Sequence, residues 1–159
     1  MAAQAAAAVL RAAAVQARAS GDLAREVGAL EDLSAQAAAA GRAGEAVAFL
    51  ARIAELQRER GDREGRLRAV VLAGRVLCEA WGVSRDVPAG MVMLLWAEAE
   101  AHRVDVSLAA MLKDYLTGFQ YTLTDLEFAE VEPWLLLDRA AVVDATMARY
   151  LHEHAGALP

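Results

Sequence analysis

The sequence has little proline, little cysteine and few aromatic residues, and these shortages exclude several classes of protein. Three prolines in 159 residues leave long stretches free to be helical, and 23 of the first 60 residues are alanine, the strongest helix former. One cysteine excludes an intramolecular disulfide framework and a cysteine-based zinc cluster. The composition therefore predicts an all-α fold rather than a strand-rich one.

Long apolar runs and excess positive charge are also missing. No uncharged apolar stretch approaches the roughly 20 residues needed to cross a bilayer, and the start lacks the pattern of a signal peptide. The net charge of −6 disfavours a nucleic-acid binder. We therefore expect a cytoplasmic protein bound neither to a membrane nor to nucleic acid. Fifteen arginines against one lysine are typical of a GC-rich bacterial genome.

Charge and aromatic content divide the predicted single helical domain, residues 1–159, into two halves. Residues 1–87 carry a net charge of +1, whereas residues 88–159 carry −7 and most of the aromatic side chains. Turn-forming residues between Gly82 and Pro88 mark the joint. Neither half alone would bury much core, so we predict a repeat-like half packed with an acidic, aromatic-rich helical half.

Short glycine turns separate the predicted helices of the first half. Gly21, Gly41 and Gly61 can adopt the left-handed conformation that ends a helix, which predicts helices over 2–19, 23–40, 43–60 and 63–81. The third and fourth helices carry apolar stripes at helical spacing. These stripes are Ala46, Phe49, Leu50, Ile53 and Leu56, and then Leu67, Val70, Val71, Gly74, Leu77 and Trp81.

The second half is predicted to be helical but less regular. Pro88 fits the first turn of a helix, and Thr124 with Glu127 has the spacing of a capping box. Gly118 is expected to end the helix before it. The alternating residues 119–123 permit a short extended segment, and Pro133 is expected to begin the last helix.

A shift of 40 residues aligns the chain with itself and pairs Gly21 with Gly61 and Leu10 with Leu50. A period of 40 with two helices per unit is typical of a helical solenoid. Packing residues from Leu33 to Ile53, followed by a Gly-Asp-Arg turn at residues 61–63, fall at tetratricopeptide spacing. Residues 2–82 therefore resemble the roughly 40-residue variant of the tetratricopeptide repeat. An ordinary helical bundle with accidental periodicity is the alternative.

The resemblance implies antiparallel helical hairpins followed by an irregular helical cap, with a groove lined by the first helix of each repeat. It also implies a noncatalytic protein–protein interaction module: an adaptor, a chaperone-like protein or a sensor that holds a peptide or partner helix. The groove positions carried over are Glu31, Ala35, Ala38, Arg68, Val71, Arg75 and Cys78. Of these, the predicted partner-binding residues are Glu31, Arg68, Val71 and Arg75.

The two arginines of the groove have two interpretations. Arg68 and Arg75 lie about 10 Å apart along one helix face and can fork onto carboxylates of a partner. They can equally be solvated, or pair with the acidic second half of this chain. The first helix has no preceding helix to cover its apolar side, which predicts either cover from the second half or a homodimer.

A small helical enzyme is the alternative function. Glu98 and His102 are four residues apart and can form a carboxylate–imidazole pair that, with carboxylates of the second half, would serve as a general base. A surface helix pair is the simpler interpretation of that spacing. His152 and His154 are two residues apart and cannot chelate together on a helix, so we expect no metal. No phosphate-binding glycine loop or dinucleotide motif occurs, so we expect no cofactor.

Overall fold

The computed structural model describes the backbone of residues 1–159 and every side chain except those of residues 2 and 83. Across the residues so described the chain is all-α, as predicted, with eight α-helices and three short 3₁₀ turns. The helices are α1 Ala2–Ser20, α2 Leu23–Ala39, α3 Ala43–Glu59, α4 Arg63–Glu79, α5 Val87–Val104, α6 Val106–Gln120, α7 Asp125–Val131 and α8 Arg139–Glu153. The 3₁₀ turns are Gly82–Ser84, Glu132–Leu136 and Ala155–Ala157.

The 40-residue repeat of the sequence is also a repeat of local geometry. Gly21 and Gly61 have φ angles of 72° and 73°, the left-handed conformation that only glycine adopts cheaply. The residue after each is an aspartate whose side chain caps the next helix: Asp22 accepts from the Arg25 N–H, and Asp62 accepts from the Gly65 N–H. Turns with a capping aspartate therefore join α1 to α2 and α3 to α4, whereas Gly41, whose φ of 74° is also left-handed, is followed by Arg42, which makes no side-chain cap.

Successive helices pack against each other along the chain from α1 to α6, and short turns make neighbours antiparallel. Helix α8 then returns to pack on α3 and α5. Between α2 and α3, the buried Ser34 hydroxyl donates a hydrogen bond of 3.0 Å to the Ala46 carbonyl and so fixes α2 on α3. This sequential packing is compatible with a helical repeat.

Two apolar clusters form the core, and α4 and α5 contribute to both. The first cluster surrounds Phe49 and Val70 and joins α1–α5 with α8. The second surrounds Leu94 and Leu112 and joins α4–α7. All five side chains of the predicted stripe of α3 are buried, and all five belong to the first cluster.

Several details of the second half differ from expectation. Gly118 lies inside α6, which continues to Gln120, so residues 119–123 form the end of a helix and a turn rather than an extended segment. Pro133 lies in a 3₁₀ turn, and Asp138 caps α8 by accepting from the Ala141 N–H. Trp81, placed by the sequence in the apolar stripe of α4, follows the end of that helix and is 93% exposed.

The last residues of the chain cover part of α1. Arg11 donates to the Ala157 carbonyl and Arg18 to that of Pro159, while Val9 and Val15 of α1 stay exposed. Cover from the second half is thus present, and the homodimer stays a prediction. None of the described helices combines the length and the apolar character that crossing a bilayer requires.

Candidate functional site

The candidate site is a groove between α2 and α4, the first helices of the two predicted repeats. At one end it opens into a cleft of about 300 Å³, in which Glu31 faces Arg68 and Leu72 above buried Leu50 and Ile53 of α3. At the other end is a cleft of about 260 Å³, lined by residues of α2, α3 and the end of α4. The residues of this second cleft are Ala38, Gly41, Ala43, Val76, Glu79, Ala80 and Trp81.

The structure brings together only some of the residues predicted to bind a partner. Glu31 and Arg68 are exposed and line the same cleft. Val71 is 5% exposed and Cys78 is fully buried, so both belong to the second core cluster rather than to the groove surface. Ala35 and Ala38 are exposed on α2.

The two arginines are already engaged within the chain. Arg68 forms an ion pair with Glu64 one turn before it, and Arg75 pairs with Glu79 over 3.1 Å. The guanidinium of Arg75 also lies 5.2 Å from the ring centre of Tyr115, in the second half. These contacts favour the interpretation in which the arginines are used internally rather than as a free carboxylate fork.

Tyr115 of α6 contacts the ion pair of Arg75 and Glu79 on the side of α4 that faces α6. Its hydroxyl donates to Glu79 over 2.8 Å. Burial and this hydrogen bond raise the pKa of the Tyr115 hydroxyl, so the group stays a neutral donor at physiological pH. Arg75, Glu79 and Tyr115 therefore join α4 to α6, while the side chains of Arg75 and Glu79 stay 43% and 48% exposed.

Sequence reasoning missed the exposed apolar residues of the groove, Leu72 and Trp81. Leu72 is 45% exposed, and it follows Val71 by one position, which rotates it about 100° away from the buried stripe. A large apolar residue outside the stripe of its helix is the signal that could have found it. The position of Trp81 had no such signal, because it depends on where α4 ends.

Glu98 and His102, the pair of the enzyme alternative, do meet on α5. The His102 Nε2 and the Glu98 Oε1 are 2.9 Å apart, with 60% of the histidine side chain exposed. They lie in the wall of a separate cavity between α5, α6 and α7. The aspartates and glutamates between residues 125 and 138 do not line that cavity. Glu127 instead accepts a hydrogen bond from Thr124 and forms an ion pair with Arg85.

Two other candidate reactive groups, Cys78 and His154, pack against neighbouring side chains of the fold. Burial raises the pKa of the Cys78 thiol to about 12, so the thiolate needed for nucleophilic attack is scarce. His154 stacks on Tyr150 and lies against Gly44 of α3, where a Cβ would meet its ring. Among the described side chains, no three histidines, cysteines or carboxylates converge as metal ligands would.

Comparisons with protein-family models, with curated proteins and with solved structures find no match to this chain. The relation to tetratricopeptide repeats therefore stays an inference from the residues.

Proposed function

We propose that the protein is a noncatalytic, tetratricopeptide-like interaction module that binds a peptide or partner helix in the groove between α2 and α4. The repeated Gly-Asp turn at residues 21–22 and 61–62 and the sequential packing of helices support the repeat. Solenoids of stacked helix pairs present extended concave surfaces to partners.

The exposure of Trp81 carries the proposal. A tryptophan is 93% exposed at one end of a groove whose other end exposes Leu72. Tryptophan is enriched among residues that dominate binding energy in interfaces, since it buries a large apolar area and keeps an N–H donor. A partner that covers Trp81 and Leu72 removes apolar surface from water at both ends of the groove.

The groove also defines the chemistry of its partner. Arg68 and Arg75 are paired with Glu64 and Glu79, so charge contributes little net attraction for a partner. An acidic peptide therefore gains less binding free energy in the groove than an apolar peptide does. The partner that fits best is an amphipathic segment with apolar side chains for both clefts. Glu31 adds a site for a basic or hydrogen-bond-donating side chain.

An interaction module fits better than the enzyme because the groups for catalysis do not converge. A general base needs a substrate-binding site with further polar groups aimed at the reacting atoms. Of the predicted catalytic set, only Glu98 and His102 are in contact, and no second carboxylate lines their cavity within the described side chains.

The proposal is tested by affinity capture from the source organism with matched variants. Wild type, Trp81→Ala and Leu72→Asp are compared with Leu136→Asp, a control at an exposed leucine outside the groove. Proteins recovered by wild type and by the control, and lost with both groove variants, support the groove. Recovery that is unchanged with Trp81→Ala and Leu72→Asp contradicts it.

The pair of substitutions Arg68→Glu and Arg75→Glu separates apolar from charged recognition. We expect it to weaken recovery less than Trp81→Ala does, because both guanidinium groups are engaged within the chain. A stronger loss with the arginine variants would show that a carboxylate-binding fork carries the recognition instead.

A further inference from the structure

Large apolar side chains are exposed along one short segment of the second half. Leu126 is 71% exposed and Leu136 is 89% exposed, and three further apolar side chains between residues 126 and 137 are exposed as well. Exposed apolar residues are normally scattered singly over a monomer, whereas a group of them marks an interaction surface. We call this group the α7 surface; its members are Leu126, Phe128, Leu135, Leu136 and Leu137.

The α7 surface borders a concave groove. Phe128 and Leu135 form part of one wall of a cavity of about 440 Å³, whose other walls come from α5 and α6. Leu126, Leu136 and Leu137 do not line the cavity, so the exposed apolar surface extends beyond its edge. A molecule that only fills the cavity would leave these leucines in water. The occupant that covers the whole surface is therefore a segment of protein.

A helix is the form of that segment that fits an all-α chain. Across the described residues the chain has no strand, so no sheet edge is present to which an extended peptide could add. An apolar groove between helices takes the apolar face of an amphipathic helix instead. The groove between α6 and α7 has this character.

The charge around the α7 surface is negative. Residues 120–138 contain five carboxylates and neither lysine nor arginine. Glu127 forms an ion pair with Arg85 of the first half. The other four carboxylates are exposed and form no ion pair among the described side chains. They are Asp125, Glu130, Glu132 and Asp138.

Nearby cations do not reverse this balance. Lys113 lines the cavity together with Glu98, which keeps its negative charge when His102 is neutral, so these two charges offset each other. Arg139 follows Asp138 directly and offsets that carboxylate. Three carboxylates remain, so a nucleic acid, an anionic membrane or the same face of a second copy would meet like charge. A cationic partner is the one that the charge favours.

We infer that the α7 surface and its groove bind a basic amphipathic helix of a partner protein. The apolar face of that helix covers Leu126, Phe128 and Leu136, and lysines or arginines beside that face meet Glu130 and Glu132. Burial of the exposed leucines drives binding, and the carboxylates select a basic partner. This surface is independent of the α2–α4 groove.

Titration of the full chain with a fluorescent model peptide, followed by anisotropy, tests the inference. The peptide has about 18 residues of leucine and lysine, ordered so that the leucines form one face of a helix. One control peptide has the same residues in an order that scatters the leucines around the helix, and another has glutamate in place of every lysine. We expect saturable binding of the amphipathic basic peptide and at least tenfold weaker binding of both controls.

Paired apolar variants locate the site. Leu126→Ser combined with Leu136→Ser removes two exposed leucines without a change of charge and should weaken binding about tenfold. Val9→Ser combined with Val15→Ser, at two exposed valines of α1, is the matched control and should leave binding unchanged. Trp81→Ala should also leave it unchanged, and a loss of binding with Trp81→Ala would place the peptide in the α2–α4 groove instead. Circular dichroism confirms that each variant is folded.

Paired charge variants separate local from overall electrostatics. Glu130→Lys combined with Glu132→Lys should weaken binding of the basic peptide at least tenfold. Asp32→Lys combined with Glu59→Lys makes the same change in net charge at exposed carboxylates of α2 and α3, and should weaken binding less.

Four results would overturn the inference. They are the absence of saturable binding, equal affinity for the peptide with scattered leucines, losses in the two control pairs as large as those in the α7 pairs, and a dimer in sedimentation that Leu126→Ser with Leu136→Ser dissociates. The last result would show that a second copy of the chain covers the surface instead of a basic partner.

Discussion

Gly90 of α5 lies so close to Gly74 of α4 that a Cβ added at Gly90 would meet the Gly74 carbonyl oxygen at 2.8 Å. The same Cβ would lie 2.7 Å from the Cys78 Sγ. Two glycines thus let the last repeat-like helix and the first helix of the acidic half approach closely. The contact joins the two halves of the chain.

Gly90→Ala is expected to destabilise the fold by about 1–3 kcal/mol, because the added methyl overpacks the contact between α4 and α5. Gly118→Ala is the matched control, since that helical glycine has open space around it. It should stabilise α6 by about 0.5–1 kcal/mol. Urea unfolding of both variants measures the difference, and an unchanged Gly90→Ala midpoint would contradict the close approach.

Trp81 is expected to provide most of the tryptophan fluorescence that iodide can quench. Trp81 is 93% exposed, whereas Trp96 and Trp134 are partly buried. Trp81→Phe should remove most of the quenchable emission, and Trp134→Phe should remove little. The opposite order would show that the end of α4 is packed against the chain.

Cys78 is expected to resist thiol reagents in the folded protein. The side chain is fully buried, and burial raises its pKa to about 12, so at pH 8 nearly all of it is protonated. Reaction with a disulfide reagent such as DTNB should be slow in buffer and fast in urea. Rapid stoichiometric labelling of the native protein at pH 8 would contradict this environment.

The capping box of α7 is expected to lose stability in acid. A backbone hydrogen bond from Thr124, with smaller contributions from its side chain and from Arg85, lowers the pKa of Glu127 below its usual 4.5. The folded state therefore favours the ionised form, and its contribution is complete above pH 4.5 and lost as pH falls through the lowered value.

Glu127→Gln tests that contribution, because it keeps a hydrogen-bond acceptor and removes the charge. Its Tm should lie below that of wild type at neutral pH and converge with it in acid. Glu130→Gln, at a neighbouring carboxyl outside the capping box, is the control. A difference between wild type and Glu127→Gln that stays constant below pH 4.5 would contradict the linkage.

Local signals in the sequence were sufficient to predict where the helices of the first half begin and end. Gly21 with Asp22, and Gly61 with Asp62, combine a left-handed glycine with a capping aspartate, and the bounds of α1–α4 agree with the prediction within two residues. Such turns are encoded within a few neighbouring residues, so they can be read without knowledge of the rest of the fold.

The features that the sequence did not predict correctly depend on contacts between distant residues, or on residues that occur both inside helices and at their ends. Gly118 was expected to end a helix, yet a glycine with no positive φ continues it, and nothing nearby in the sequence distinguishes the two. The return of α8 to α3 and α5 joins residues far apart in the chain. The capping box at Thr124 correctly predicts the start of α7, but the cavity in whose wall Glu98 and His102 lie depends on how α7 and the turn at Pro133 pack on α5 and α6, which local signals do not encode.

The most direct test of the groove is hydrogen exchange on the chain with a bound peptide. Peptides are selected from a random display library on wild type, and their affinity is measured again on Trp81→Ala and on the control Leu136→Asp. We expect protection of amides in α2 and α4, at least tenfold weaker binding by Trp81→Ala, and no change with the control. Failure to select any peptide, or selected peptides that protect other helices and bind Trp81→Ala as tightly as wild type, would contradict it.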